Sequence, residues 1–404
     1  IEYHTSMTYD ALNRIKTMRY PQDVDGARKE LRPHYNRAGA LERVVLDEET
    51  YVRHIAYNAK GQRTLIAYGN DLMTRYAYDP QTFRLLRLRT ERFTRPNALR
   101  LRPTGGVLQD CAYHYDLAGN LLNMIERTPG CGVHNNPQSV EIEDPALRAL
   151  VAAGDTLVRR IRYDPLYRLT FASGRECTTS ARPEPWLDDS QRCGFNGANH
   201  GTPNQDNAPN LTAVYSEAYT YDPVGNMAQL RHTDGSGSFN RQLSLVSNTN
   251  RLQTLTMGQT DFVYTYDANG NLTGETASRH FEWNHNDQMK VFRTQVNDSE
   301  PSIHTHYLYE ASGQRVKKLV RKQGGSFEST TSIDGIFEHH RRHSNNGQAG
   351  ENNHLHVMDD QQRIALVRVG VSHPDDRGPA VQFHLGDHLG SSILVVGQNG
   401  SFIN

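Results

Sequence analysis

The 404 residues contain no stretch approaching the roughly 18 consecutive apolar positions of a membrane-crossing helix, so no span is expected. Charge of either sign is not in excess: 44 Lys and Arg stand against 45 Asp and Glu. That balance removes the broad electrostatic attraction used by nucleic-acid and anionic-lipid binders, and no nucleic-acid partner is expected. Cysteine is scarce, at four residues, and no two are spaced as CxxC, which argues against a zinc ribbon or a dithiol redox motif. Cys111, Cys131, Cys177 and Cys193 could form two bridges in an oxidising compartment; free, spaced thiols are the favoured reading. Only 36% of residues are hydrophobic, which suits a thin strand-rich layer with polar faces better than a thick globular core. The start at Ile1 lacks a basic and apolar leader, and this start together with an end at Ile403 and Asn404 suggests a piece of a larger protein.

What is present is repetition. Tyr113, Tyr115, Asp116, Gly119 and Asn120 belong to a phrase YxYDxxGN followed by an apolar residue. It recurs at Tyr219, Tyr221, Asp222, Gly225 and Asn226, and again at Tyr264, Tyr266, Asp267, Gly270 and Asn271. Two tyrosines two apart share one face of a strand. Asp at the first position of a four-residue turn, Pro223 at the second and Gly at the fourth follow the preferences of a type I turn, with Gly taking the positive φ that closes a bulged hairpin. The next apolar residue, Met227 in the second copy, restarts the pleat. Each phrase therefore encodes strand, turn, strand. Weaker copies around Tyr9, Tyr35, Tyr57, Tyr78, Tyr163, Trp283 and Tyr309 extend the pattern over most of the chain. At this scale repetition sets the architecture, because each unit buries itself against its neighbours.

These phrases resemble those of RHS, or YD-repeat, proteins, and Asp387, His388, Leu389, Gly390 and Ser391 are similar to the DHLGS signature of that family. More narrowly, Tyr78 to Leu86, Tyr163 to Leu169 and His356 to Val367 resemble the RHS half of the SpvB/TcdB-like proteins of insecticidal toxin complexes. The resemblance implies an all-β fold: a YD-repeat β-hairpin strip spiralling into a partial hollow shell. It implies a structural shell segment of a secreted bacterial toxin, made in the cytoplasm and exported with the larger protein. Its partners would be a C-terminal toxin cargo of the same polyprotein and other toxin-complex or secretion-system subunits. No catalytic residue, cofactor or metal is implied, and the named repeat residues are expected to be structural.

Residues 1–404 read as one repeat region with loop inserts near 91–110, 128–160, 173–213 and 341–353, a further loop at 232–248, and a short helix within Asp144 to Arg160. Against this background His339, His340, His343, His354 and His356 form the densest histidine cluster. With only Asp359 and Asp360 as nearby acids, exposed loop histidines are favoured over a metal site. Asp387, His388 and Ser391 invite a triad, but adjacent Asp and His point to opposite faces of a strand. Asp79, Asp116, Asp164, Asp222 and Asp267, like Asp188 and Asp189 near Glu184, could be imagined as acid and base pairs. The first five recur at one place in every unit, which turn formation explains. The tyrosines read as cross-strand packing rather than a carbohydrate ladder. Two alternatives stay open: a cell-surface or glycan-binding adhesion module using the inserts and Trp186, and a hydrolase or transferase hidden in the inserts, to be tested at His356 and His388.

Overall fold

The computed structural model describes residues 2–97, 100–177, 212–233, 237–276, 278–296, 299–345, 347, 349–359, 362–373, 376 and 378–403. Among them, 28 antiparallel strands join in one sheet that runs from Ser6–Tyr9 to Ser392–Gly397, nearly every strand pairing with the ones before and after it. The period of two expected from the phrases is visible strand by strand. In Thr260–Tyr266, Phe262 is buried and Tyr264 and Tyr266 are half-buried, whereas Asp261, Val263 and Thr265 are exposed. Strand-to-strand continuity leaves few unpaired edges in a chain this rich in β structure.

The strip does not lie open. One apolar core joins strands from the two ends of the chain: Leu31, Val52, Ile55, Ile66, Tyr68 and Leu72 pack with Phe337, Leu355, Val357, Ala365, Phe383 and Leu385. Tyr51 stacks on Phe383 at 5.6 Å, and the Tyr20 hydroxyl donates to the His356 carbonyl at 2.8 Å. A buried ion pair, Arg63 Nη1 to Asp359 Oδ2 at 2.6 Å, sits in the same overlap. The N-terminal strands contribute their tyrosine face to this core. The C-terminal strands contribute the opposite face, because Phe337, Leu355 and Phe383 alternate with Glu338, His354 and His384. The strip therefore rolls until its end lies against its beginning, with the end on the tyrosine side.

Several expected loops are strands. Leu85–Asn97 and Arg100–Tyr115 form one long hairpin where an irregular insert at 91–110 was expected. Its Arg, Pro and Gly content masked the pairing, which is interrupted by repeated bulges. The expected loop at 232–248 contains the strand Phe239–Leu245, and that at 341–353 is strand through His343 and again from Ala349, with Asn352 and Asn353 buried. Within 128–160 the helix is present as Pro145–Ala153: the Asp144 carboxylate accepts from Ala146 N–H at 2.9 Å, Pro145 opens the first turn, and Gly154 at φ 82° stops it. The expected loop before it is present: residues 127–144 hold a short 3-10 turn, Pro137–Glu141, and fold back on the helix end through Gly132 N–H to the Gly154 carbonyl and Asn135 N–H to the Ala152 carbonyl, whereas Leu157–Tyr163 is again a strand. Of the insert at 173–213, residues 173–177 and 212–213 are strand; Trp186, Asp188, Asp189, Glu184 and Cys193 lie outside the described residues. Cys111 and Cys131 are free thiols, both buried.

Candidate functional surface: the stitched tyrosine face

The turn of each unit is closed by its own side chains. Asp222 Oδ1 accepts from Val224 N–H at 3.0 Å and Asn226 N–H at 2.8 Å, and Oδ2 accepts from the Asn226 amide at 2.9 Å. Asp116 with Asn120 and Asp267 with Asn271 repeat the clamp. The amide of Asn120 and then the turn N–H groups hold the Asp116 carboxyl below the usual carboxylate range; Asn226 does the same to Asp222. Gly119, Gly225 and Gly270 take φ of 108°, 101° and 97° at the bulge, a region closed to most residues. Variants keep the geometry with other chemistry. Arg14 closes on Asp10 and Arg168 on Asp164 as ion pairs, and Asn58 with Gln62 and Asn284 with Gln288 as amide pairs.

Units are then joined to one another. The second tyrosine of a phrase donates its hydroxyl to the carbonyl of the residue that restarted the pleat in the preceding hairpin: Tyr57 to Leu41 at 2.7 Å, Tyr163 to Leu121 at 3.2 Å, Tyr221 to Leu169 at 2.7 Å, Tyr266 to Leu252 at 2.9 Å and Tyr309 to Met289 at 2.8 Å. A basic residue of the earlier turn reaches forward as well. Arg14 lies over the Tyr35 ring at 4.5 Å, Arg168 over Tyr221 at 4.8 Å, and Arg84 donates to the Asp116 carbonyl at 2.7 Å. Sequence reading placed these tyrosines in ring packing and did not anticipate the hydroxyl seam or the forward-reaching arginines. The recurrence of Arg four residues after Asp10 and Asp164 was the available signal.

Identical phrases meet different surroundings. Tyr219 is half-buried and donates to Glu217, whereas Tyr113 is buried and lies 4.7 Å from the His388 ring, covered by the returning end of the strip. Burial pushes the Tyr113 phenol far above its ordinary range. Asp387 and Ser391 do not lie on a strand as expected; they close a turn of the same design, Asp387 Oδ1 accepting from Leu389 and Ser391 N–H at 2.9 Å each. Asp387 spends Oδ1 on the turn and His388 lies against a tyrosine, so the three residues do not assemble as a triad.

The histidines are on strands rather than in an exposed loop. His339 is buried, with Tyr3 Oη at 2.7 Å on one ring nitrogen and Glu351 at 3.2 Å on the other. His343 stacks on Phe327. Glu338, His340 and His354 share the opposite face, Glu338 directly across from His354 in the ladder. The acids that matter here are Glu338 and Glu351, not Asp359, which is engaged with Arg63. The pairing register carries this face without a break from the tyrosine face of Ile303–Tyr309 through Thr330 to His340.

No family model matches the chain. Among curated proteins it is 27% identical over 306 residues to the toxin subunit YenC1 of Yersinia entomophaga, covering 71% of this chain and 26% of that protein. It is 26% identical over 341 residues to the toxin subunit YenC2 of the same organism, covering 80% and 30%. The chain thus spans about a quarter to a third of these relatives. Among solved structures, the TcdB2-TccC3 crystal structure superposes on 99% of the chain with TM-score 0.75 at 20% identity, over 18% of its own length. A Tc holotoxin pore from Photorhabdus luminescens gives 0.76 at 20%, over 17% of its length. The relatives are toxin subunits, and the hairpin-strip shell is the shared fold.

Proposed function

We propose that this RHS/YD-repeat relative of toxin-complex subunits is wall: a non-enzymatic segment of a shell that encloses a C-terminal toxin passenger of the same polyprotein and is exported with it. The observation that supports this best is the overlap of the strip's two ends. A repeat surface used only for adhesion needs no return of the chain onto its own beginning, whereas a container does. The stitching supports the same reading. Six units are tied to their predecessor by an aromatic side-chain to backbone hydrogen bond beyond the strand ladder, and an array built this way resists local opening. The turn carboxylates and the DHLGS turn are occupied by the backbone they shape, and they offer no pair in unequal environments to divide acid and base roles. Other toxin-complex subunits are the proposed external partners; nothing in the relatives points to a glycan.

Limited proteolysis of the intact protein tests containment. The C-terminal passenger should survive protease concentrations that digest the same passenger made alone. Equal digestion rates in the two settings, or an intact protein with no passenger beyond residue 404, would refute the reading.

A further inference from the structure

We propose that Glu338, His340 and His354 form a binding site for a zinc-class divalent cation on the face of the C-terminal strands that continues the tyrosine face of Ile303–Tyr309. The proposal is independent of what the wall encloses. Each of the three residues can present one ligand atom, and these atoms lie within 4.8 Å of one another. Zinc holds nitrogen and oxygen ligands at about 2.0–2.2 Å, so tetrahedral ligand atoms stand roughly 3.4 Å apart. Glu338 Oε2 and His340 Nε2 are already 3.1 Å apart, and the His340 and His354 rings are 4.4 Å apart. Small rotations about the side-chain bonds therefore suffice to converge all three on one ion.

Two further features fit a cation rather than a self-contained hydrogen-bond network. The second nitrogen of His340 is held by Thr330 Oγ1 at 3.2 Å, the kind of outer partner that fixes which imidazole nitrogen faces a metal. His356 Nε2, beside the three at 3.8 Å from Glu338 Oε2, is buried and without a hydrogen-bond partner among the described residues, so a polar atom at the edge of the cluster is left for an added ligand to satisfy. Two imidazoles and one carboxylate select a first-row ion such as zinc over calcium or magnesium, which prefer all-oxygen sites. The backbone supports the arrangement, because the ligands come from two directly paired strands whose other face is locked into the core by Phe337 and Leu355.

Isothermal titration of untagged protein with zinc chloride tests this. Wild type should take up one equivalent, with His354→Ala and Glu338→Gln each weakening uptake by about tenfold or more. His306→Ala, which alters a histidine pair on another strand, should leave it unchanged. No saturable uptake at micromolar zinc, or uptake abolished by His306→Ala and spared by the other two, would overturn the assignment. Should a cluster variant fail to fold, cobalt added to wild type decides: the intense visible absorption of a four-coordinate ion supports the site, and the weak spectrum of hydrated cobalt refutes it.

Discussion

Trp283 donates its indole Nε1–H to the Leu272 carbonyl at 2.6 Å, occupying the place that a tyrosine hydroxyl holds in the other joined units. The substitution keeps the donor while changing the ring. What this position of the phrase requires is therefore an aromatic body with a hydrogen-bond donor at its far end, reaching one strand back. Phenylalanine would supply the body alone.

Removal of the donor should therefore cost stability without changing the fold. Tyr221→Phe and Tyr266→Phe are each expected to lower the unfolding free energy by about 1 kcal/mol, since a carbonyl loses its partner beside a half-buried ring. Urea unfolding measures the loss. A midpoint unchanged in both variants would mean that the seam bonds add nothing.

Acid should loosen the turns. Asp116 and Asp222 have carboxyl pKa values lowered, first by the Asn120 and Asn226 amides, and Asp10 and Asp164 are lowered by their turn hydrogen bonds and arginines. A folded-state pKa below the unfolded value near 4 gives stabilisation that is present above about pH 4 and disappears as pH falls through the folded value. The urea midpoint should decline from about pH 5 to about pH 3, and Asp222→Asn should decline less steeply than wild type. Parallel declines for the two proteins would contradict this assignment of the turn carboxylate.

The overlap of the strip's ends rests partly on Arg63 and Asp359, whose side chains are 8% and 0% exposed. Asp359→Asn or Arg63→Met leaves one charge buried without its counter-ion, and each should cost roughly 3–5 kcal/mol. The double substitution should cost less than the sum of the two. Additive losses would show that the pair does not couple the two layers.

Thiol reactivity follows from burial. Cys111 and Cys131 have their pKa values pushed up to about 12 by desolvation, so little thiolate exists at neutral pH. In a Cys177→Ser, Cys193→Ser background the folded protein should react with an aromatic disulfide reagent only at the rate of global unfolding. Rapid titration of two thiols in the native state would contradict the burial of this region.

Much of the fold was legible because the phrase combines two local signals that agree, a strand period and a turn formula. Asp222, Gly225 and Asn226 do locally what their spacing says. The long hairpin through Phe93 and Val107 was not legible, since Arg, Pro and Gly there obey the bulged geometry of a twisted ladder rather than a clean alternation. Nor could sequence distinguish Tyr113 from Tyr219: their phrases match, and only the returning C-terminal strands bury one and leave the other half-open. The same long-range contact determines which face of Phe337–His343 is core. It put His339 in the interior and gathered Glu338 with His340 and His354, a grouping that needs the cross-strand register and not merely nearness in the chain.

An electron cryo-microscopy map of the intact protein tests the rolled wall most directly. Residues 337–396 should lie on the tyrosine face of residues 18–113, with the Glu338 and His354 face turned toward an enclosed volume. Density placing those C-terminal strands on the outer face, or in a separate body with a solid interior, would contradict it.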